Sequence, residues 1–250
     1  HCDLLNNHYT TGFFLTLKQE QKFYSRMDDV IFVSEDAKKN FSKLFGIDKG
    51  RVIYNIIDQR AICKRSKAVS SMPRHRTFTF VNVGSLKEIK RQDRIIETAA
   101  LLKARGYDAD FWLIGKGIWE ERLKAQATAL NVSDSVHFLG FQSNPYPYVA
   151  AADVFLMTSD SEGFPLVVAE AMCLGKAVIS TRITGPMEML GNGRYGILTG
   201  FSPEEIANSA ISLIEDPKLL SSYQHLAYER SISYFDVNGV MTQIHDVIGN

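Results

Sequence analysis

Short apolar runs recur along the chain, and amphipathic segments of helical period lie between them. Continuous runs of this kind are typical of strands that are buried on both faces of a sheet. We predict strands at 30–33, 51–55, 78–83, 110–114, 136–139, 153–159, 177–181 and 195–198. We predict helices at 35–45, 92–105, 119–130, 146–152, 165–174, 203–215, 217–231 and 237–248.

The alternation of strands and helices from residue 77 onward indicates the fold class. Strands separated by helices form a parallel sheet that is covered on both faces, and their crossovers are right-handed. We therefore predict an α/β protein with a Rossmann-like parallel sheet and helices on both faces. Ligands of such sheets bind at the carboxyl ends of the strands.

Capping residues support several of the helix boundaries. Ser34 is a favourable N-cap for the helix at 35–45, and Gly46 is a favourable stop. The run Ser202-Pro203-Glu204-Glu205 has the spacing of a capping box with proline at the first helical position. The polar segment 57–76 lacks a clear period, and we interpret it as a linker or loop.

Bulk composition excludes several classes of protein. Lys plus Arg and Asp plus Glu both total 28, so no overall charge recruits nucleic acid. The three cysteines have no metal-type spacing, and a reducing cytoplasmic setting is expected. No apolar run approaches the length of about 18 residues that a membrane span needs. Four basic residues between 64 and 74 are interpreted as a solvated face, with peripheral contact to the inner face of a membrane as the alternative.

Two glutamates form the most informative pattern of the chain. Glu162 lies in a predicted loop after the strand at 153–159, and Glu170 lies on the helix that this loop opens. The free backbone N–H groups of Gly163, Phe164 and Leu166 at that helix start are suited to bind an anion, and Pro165 suits the first helical turn. An ionised carboxylate at Glu170 accepts hydrogen bonds from a cis-diol such as a ribose. A nucleotide-sugar has a diphosphate between two hydroxyl-bearing sugars and fits this layout.

Two other strand ends carry candidate binding residues. Gly84 permits close backbone approach to a phosphate, and Lys90 supplies a positive charge nearby. Gly115 and Gly117 follow the next strand, but the complete dinucleotide fingerprint of glycines is absent. This absence disfavours an NAD-dependent oxidoreductase. No Asp-x-Asp cluster of the type that holds a divalent ion follows any of the predicted strands, so neither a metal nor another cofactor is expected.

Taken together, the motifs resemble those of the family 4 retaining glycosyltransferases, which have the GT-B fold. The resemblance extends from about residue 28 to residue 198 and continues more weakly to the C-terminus. The pieces that carry it are 33–34, 52–55, 83–86 with Lys90, 113–117, 138–141, 158–165, 170–172, 175–178 and 185–188.

The resemblance implies a role for each matching residue. Glu170 would hold the ribose hydroxyls, Glu162 would lie beside the donor sugar, and Lys90 would meet the diphosphate. Gly115 would flank the nucleotide, and Phe141 would contact the base unless it is a core residue. The family usually has an arginine where this chain has Ser85, so one phosphate cation is missing, and Lys87 and Arg91 are the candidate substitutes.

The resemblance also implies a division of the chain and a substrate class. Residues 1–58 would be the end of an acceptor-side domain, 59–231 the donor domain, and 232–250 a helix that packs back toward the first domain. His1 would be a catalytic histidine near the donor phosphate, or else a residue without a role. The implied function is transfer of a hexosyl or N-acetylhexosaminyl group from a UDP-sugar to a glycan or lipid-linked acceptor in polysaccharide biosynthesis. The alternative is a nucleotide-sugar binding module without turnover.

Overall fold

A computed structural model describes residues 16–68 and 78–249 of the chain. Its α-helices are α1 (Leu17–Ser25), α2 (Glu35–Phe45), α3 (Gln59–Ser66), α4 (Gln92–Ala104), α5 (Glu120–Ala129), α6 (Tyr146–Ala151), α7 (Leu166–Cys173), α8 (Thr184–Met189), α9 (Pro203–Glu215), α10 (Pro217–Tyr234) and α11 (Val237–Ile248). Its strands are β1 (Ile31–Phe32), β2 (Arg51–Val52), β3 (Phe78–Val83), β4 (Ala109–Ile114), β5 (Val136–Gly140), β6 (Val154–Met157), β7 (Ala177–Thr181) and β8 (Ile197–Thr199).

Six of these strands form one parallel sheet in the order β5-β4-β3-β6-β7-β8. Apolar side chains of α4, α5 and α9 pack on one face, and those of α3, α6, α7 and α10 pack on the other. Trp112 and Phe155, near the middle of the sheet, are completely buried. Burial on both faces explains why these strands appear in the sequence as continuous apolar runs.

The strand order reverses direction at the centre of the sheet. From β3 the chain first builds outward through β4 and β5, then returns to place β6 on the other side of β3 and continues through β7 and β8. In such a sheet the loops at the two sides of the reversal separate and leave a crevice beyond the carboxyl ends of the strands. Here the crevice is bounded by the loops that follow β3 and β6.

A smaller unit precedes this sheet. Strands β1 and β2 pair in parallel, and α2 covers them with an aromatic core of Phe32, Phe41 and Phe45. The Ser34 side chain caps α2 by accepting a hydrogen bond from the Ala37 N–H at 3.1 Å, as the sequence predicts. The predicted capping box at Ser202 and Glu205 is also present.

The interpretation of 57–76 as a linker or loop is wrong for its first half, and residues 69–76 of that segment lie outside the described ranges. The Asp58 side chain accepts a hydrogen bond from the Ala61 N–H at 2.9 Å and caps α3. Ile57 and Ile62 of this segment are buried in the main core. The helix is short and exposes basic side chains, so its apolar contacts are too few to produce a helical period in the sequence. The proposed boundaries at 58 and 231 remain predictions.

Two further helices were not predicted. Helix α1 precedes the small unit, and α8 follows β7 at the carboxyl edge of the large sheet. Glycine and proline at positions 185 and 186 disfavour a helix on propensity alone, and α8 is only 6 residues long. Its position matters because its first turn lies against the loop that carries Glu162.

Candidate functional site

Three of the candidate residues directly follow neighbouring strands of the large sheet. Gly84 follows β3, Gly115 follows β4 and Phe141 follows β5. Because all of these strands are parallel, the three loops lie at the same edge of the sheet. Backbone hydrogen bonds join the loops: the Gly84 N–H donates to Ile114 at 2.9 Å, and the Gly115 N–H donates to Gly140 at 2.8 Å.

Gly115 lies where two of these loops are in close contact. Its φ of +148° is rarely adopted by residues with a side chain, and a Cβ there would lie 1.9 Å from the Gly84 carbonyl oxygen. The absence of a side chain at Gly115 therefore lets the loop after β4 pack against the loop after β3. At Gly84 a Cβ would lie about 4.0 Å from the Lys90 side chain, so glycine there leaves space beside the lysine.

Lys90 and Glu162 form an ion pair across the crevice. Lys90 lies in a 3₁₀ turn at Glu88–Lys90 after β3, and its ammonium group contacts the Glu162 carboxylate. The Ser159 hydroxyl donates a hydrogen bond to the same carboxylate oxygen at 3.1 Å. The Asp160 N–H donates to Ile89 at 2.9 Å and holds the two loops together. Lys90 is thus a partly buried, paired cation and not a solvated surface lysine.

The loop from Glu162 to Pro165 is held by contacts with α8 and with Tyr54. The Gly185 N–H at the start of α8 donates to the Glu162 carbonyl oxygen at 3.1 Å. Phe164 is buried and stacks on Tyr54 with ring centroids 5.8 Å apart. Pro165 lies at the N-cap with an extended backbone, so α7 begins at Leu166 and not at Pro165 as predicted.

The backbone N–H groups at this helix start are available to a ligand. Within the described ranges, the N–H groups of Gly163, Phe164, Leu166 and Val167 have no hydrogen-bond acceptor. Gly163 is exposed, and Leu166 is 45% exposed. Four unpaired donors at the positive end of a helix favour binding of an anion or of hydroxyl oxygens.

Glu170 lies on α7 and is held by a tyrosine. The Tyr146 hydroxyl donates a hydrogen bond to Glu170 Oε1 at 2.8 Å, and the Arg65 guanidinium lies 4.7 Å from the centre of the Tyr146 ring. Burial raises the pKa of Glu170 above its usual range, while the hydrogen bond from Tyr146 and the charge of Arg65 act in the opposite direction. Burial, reinforced by Glu170, also raises the pKa of Tyr146 to about 12.

Sequence reasoning did not identify Tyr146, Ser159 or Arg65 as parts of the site. Tyr146 is separated from Glu170 by 24 residues, and Arg65 lies in the segment that was interpreted as a linker. A tyrosine and an arginine are common surface and core residues, so neither carries a local signal. Ser159 is the last residue of the predicted strand at 153–159. In the sequence, only its separation of three residues from Glu162 indicates that the two side chains are partners.

Lys87 and Arg91 are the candidate substitutes for the arginine that the family usually has at the position of Ser85, and the structure distinguishes between them. The Arg91 guanidinium is bound to Asp93 at 2.9 Å and to Asp160 at 3.2 Å, so its charge is already compensated. Lys87 and Lys116 are exposed, and neither forms an ion pair with any residue in the described part of the chain. The Lys116 carbonyl oxygen accepts a hydrogen bond from the Leu86 N–H at 3.0 Å, which places this lysine beside the loop of Ser85.

Phe141 is 69% exposed, which excludes the alternative that it is a core residue. The residue follows the carboxyl end of β5, and the backbone of the preceding Gly140 is hydrogen-bonded to Gly115. The Gln142 side chain donates to the Leu139 carbonyl oxygen at 2.8 Å and is turned toward the backbone.

His1 lies outside the described residues. In residues 16–68 and 78–249, no group of three or more His, Cys, Asp or Glu side chains is arranged to hold a metal ion. The expectation that no metal or other cofactor is needed remains a prediction. None of the helices in the same ranges is both long enough and apolar enough to span a membrane.

Comparison with known proteins gives a family match. Residues 65–230 match the family model described as glycosyl transferases group 1. A curated relative from Campylobacter jejuni, N-acetylgalactosamine-N,N'-diacetylbacillosaminyl-diphospho-undecaprenol 4-alpha-N-acetylgalactosaminyltransferase, is 30% identical over 202 residues, which cover 80% of this chain and 53% of the relative. The chain spans about half the length of the curated relatives it matches.

Solved structures resemble the fold. The Anabaena protein HepE (Alr3699), crystallised with UDP and glucose, superposes with a TM-score of 0.82 at 25% identity, covering 98% of this chain and 69% of HepE. A mutant of S. aureus TarM superposes with a TM-score of 0.81 at 18% identity, covering 98% of this chain and 48% of TarM. The likeness to TarM concerns the fold alone. The sheet and its flanking helices are thus those of the GT-B glycosyltransferases, as the motifs predict.

Proposed function

The chain belongs to the glycosyl transferases group 1 family, and we propose that it binds the donor in a retaining glycosyltransferase. The donor is a nucleotide-sugar, with UDP as the nucleotide and a hexosyl or N-acetylhexosaminyl group as the sugar. The acceptor is a glycan or a lipid-linked sugar in polysaccharide biosynthesis. The HepE complex with UDP and glucose supports the choice of nucleotide.

One observation carries this proposal. Lys90 and Glu162 come from the loops after β3 and β6 and meet where the strand order of the sheet reverses. Open α/β sheets bind their ligands at this point. The unpaired N–H groups from Gly163 to Val167 lie directly after Glu162 in the same loop. A cation, an anion and a row of amide donors at one crevice match a ligand that carries both phosphates and hydroxyl groups.

The two ends of the site would hold the two ends of the donor. The Glu170 carboxylate, oriented by Tyr146, accepts hydrogen bonds from the two ribose hydroxyls. Phe141 offers an exposed aromatic surface to the base at the neighbouring strand end. Glu162 lies before the start of α7, whereas Glu170 lies within this helix. With Glu170 at the ribose, Glu162 lies beside the donor sugar.

The chemical role of the site follows from where charge develops. When the bond between the sugar and the diphosphate breaks, negative charge accumulates on the departing nucleotide diphosphate. The Lys90 ammonium and the amide donors before α7 would stabilise that charge, which is the electrostatic contribution that enzymes commonly make to such steps. With both in place, the transfer needs no metal ion. Retention of the anomeric configuration by front-face attack is what the family resemblance implies.

The acceptor is inferred from relatives alone. The name of the Campylobacter jejuni relative describes a lipid-linked acceptor built on diphospho-undecaprenol. That name supports a lipid-linked or glycan acceptor for this chain. In the described ranges we assign no residue to acceptor binding, because every candidate of the site belongs to donor recognition.

Isothermal calorimetry on the 250-residue chain tests the proposal. UDP, GDP, ADP and NADH are titrated into the wild-type chain and into Glu170→Ala. We expect UDP to bind, and we expect Glu170→Ala to weaken it by about 1–3 kcal/mol, the usual effect of losing hydrogen bonds to a charged group. Inorganic pyrophosphate serves as a ligand control because it lacks the ribose that Glu170 holds. Binding of NADH without UDP, or equal UDP affinity in both proteins, contradicts the proposal.

We expect donor binding and sugar transfer to be separable in this chain. Glycosyl transfer requires donor and acceptor to be held together, whereas the residues that we assign to the donor all lie on the loops of the large sheet and on the helices beside them. We therefore expect the chain to bind a nucleoside diphosphate and to transfer or hydrolyse sugar slowly. A coupled assay of UDP release from a panel of UDP-sugars measures this, and fast release would contradict it.

A further inference from the structure

Glu188 is a carboxylate that the proposed donor chemistry does not use, although its hydrogen bonds are unusually numerous. It lies on α8, in the run Gly185-Pro186-Met187-Glu188. Its Oε1 accepts a hydrogen bond from the Tyr54 hydroxyl at 2.7 Å and another from the Tyr234 hydroxyl at 3.1 Å. Its Oε2 accepts from the Glu35 N–H at 3.2 Å. One side chain is thus bound by three donors.

The three donors come from separate parts of the chain. Glu35 is the first residue of α2 in the small unit, Tyr54 follows β2, and Tyr234 is the last residue of α10. The Glu188 carboxylate therefore joins the small unit, the connection between the units and the end of the large domain. An anion at the first turn of a helix such as α2 is also favoured by the helix dipole.

Helix α8, which carries Glu188, is in direct backbone contact with the loop of Glu162. The Gly185 N–H donates to the Glu162 carbonyl oxygen at 3.1 Å. A Cβ at Gly185 would lie 2.8 Å from the carbonyl oxygens of Glu162 and Gly163, so α8 and this loop are in tight backbone contact. A shift of α8 must therefore move the loop of Glu162 as well.

Tyr54 provides a second connection to the same loop. Its hydroxyl binds Glu188, while its ring stacks on Phe164 with centroids 5.8 Å apart. Phe164 packs edge-on against Phe235 at 6.2 Å, and Tyr54 lies 4.7 Å from the Tyr234 ring. The aromatic cluster under the free N–H groups is thus the same cluster that binds the Glu188 carboxylate.

We propose that Glu188 is a positioning residue for the donor site: by holding Tyr54, Tyr234 and the α2 N-terminus, its carboxylate fixes α8 and the 162–166 loop in the geometry that a donor needs. This inference rests on the proposed function for its effect on nucleotide binding. Its effect on the loop itself is independent of any ligand. In this role Glu188 acts through α8 and Phe164 and not by contact with the donor.

The test compares Glu188→Gln with a matched pair at the other end of the sheet. In that pair the Tyr107 hydroxyl donates to the Glu215 carboxylate. Tyr107 precedes β4 and Glu215 ends α9, so both lie at the amino edge of the sheet, away from the donor loops. Glu215→Gln therefore removes a carboxylate that a tyrosine also binds, without any connection to the site.

Hydrogen exchange of backbone amides, measured by mass spectrometry without ligand, is the first readout. Glutamine has one carbonyl oxygen and an amide group that is itself a donor, so it cannot accept from all three donors of Glu188. The N–H groups of Val168 and Gly185 are hydrogen-bonded to the 162–166 loop in the wild-type chain. We expect exchange in Glu188→Gln to rise about tenfold at these two amides and at Glu35, since losing hydrogen bonds of this kind has an effect of that order. We expect no change there in Glu215→Gln.

UDP affinity by calorimetry is the second readout. We expect Glu188→Gln to raise the Kd about tenfold and Glu215→Gln to leave it unchanged. If the wild-type chain binds no nucleotide, the proposed function fails, while the exchange measurement still decides the role of Glu188. Unchanged exchange at Val168 and Gly185 in Glu188→Gln overturns the inference, and so does an equal rise in Glu215→Gln.

Tyr54→Phe and Tyr234→Phe keep the experiment decisive if Glu188→Gln does not fold. Each removes one hydroxyl and retains the ring that packs in the cluster. We expect each to raise exchange at Val168 and Gly185 by a factor of about 2–5. Because both act through the same carboxylate, their effects should combine to less than their product in the double variant. Wild-type exchange in both single variants would overturn the inference.

Discussion

The two glutamates of the site belong to one loop and helix, but their surroundings differ. The Glu162 carboxylate is paired with the Lys90 ammonium and also receives the Ser159 hydroxyl. The Glu170 carboxylate has no ion-pair partner among the described residues and is held by the Tyr146 hydroxyl alone. The charge at Glu162 is compensated before any ligand arrives, whereas the charge at Glu170 is penalised by burial.

Because of this difference, Glu162 and Glu170 are suited to different tasks. A compensated ion pair fixes the geometry of the crevice, and a ligand phosphate that binds Lys90 must compete with Glu162 for it. An uncompensated, partly buried carboxylate gains most when a ligand supplies the missing hydrogen bonds. We therefore expect the Lys90 and Glu162 side of the site to respond mainly to the phosphates, and the Glu170 side to respond mainly to the ribose.

The largest effect is expected from Lys90→Met. The variant removes the cation that we propose for the phosphates and leaves the Glu162 carboxylate without its ion-pair partner. We expect the Kd for UDP to rise by about ten- to a hundredfold, with uridine binding little changed. Calorimetry with both ligands measures this. The control is Lys103→Met, which removes an exposed pair with Asp134 and should leave the affinity unchanged. Equal losses of affinity for UDP and uridine in Lys90→Met would contradict the assignment of Lys90 to the phosphates.

A smaller effect is expected from Tyr146→Phe. The variant removes the hydroxyl that orients Glu170, and we expect the Kd for UDP to rise about fivefold at neutral pH. The hydrogen bond from Tyr146 lowers the pKa of Glu170, so its loss should raise that pKa further. Binding needs the ionised carboxylate, and the acid limb of the affinity profile should therefore move to higher pH.

Calorimetry over a pH series checks the expectation for Tyr146→Phe. Tyr107→Phe is the control, since its hydroxyl binds Glu215 at the other edge of the sheet. An acid limb at the same pH in Tyr146→Phe and in the wild-type chain would contradict the assignment of Glu170 to the ribose.

Glu170→Gln should stabilise the fold while it weakens binding. The raised pKa means that the folded chain binds more protons than the unfolded chain between the ordinary and the raised value. Stability is therefore lost as the pH rises through that window, and at neutral pH the ionised carboxylate remains a small cost. We expect a higher urea midpoint for Glu170→Gln at pH 7, and no difference below about pH 4, the ordinary range of a glutamate. A lower midpoint at pH 7 would show that Glu170 is better solvated than its position indicates.

The smallest effect is expected from the two unpaired lysines beside Ser85. Lys116 is tied through its backbone to Leu86, and its Cε would lie 3.7 Å from a Cβ at Gly140, so its stem crosses toward the loop of Phe141. We expect Lys116→Ala to raise the Kd for UDP about threefold, typical of one exposed charge, and to reduce its dependence on salt. Lys87→Ala is the matched variant. If Lys87→Ala raises the Kd for UDP more than Lys116→Ala does, Lys87 is the residue that substitutes for the family arginine at the position of Ser85.

Much of the fold was predictable because local rules agreed with it. The continuous apolar runs of β6 and β7 are dictated by burial on both faces, and caps such as Ser34 and Ser202 mark helix starts by their own hydrogen bonds. The sequence does not predict helix α3 because Ile62 is its only buried residue, and one buried residue gives no helical period. Helix α8 was missed because its glycine and proline oppose a helix and only its contacts hold it.

The site divides in the same way. The sequence by itself determined the strand ends, the glycines beside them and the spacing of Glu162 and Glu170, because each depends on residues that are neighbours in the chain. Only the tertiary structure decided that Lys90 meets Glu162, that Tyr146 orients Glu170 and that Glu188 gathers three distant donors. Such contacts join residues that are far apart in sequence, and a side chain carries no local mark of the partner that packing will bring to it.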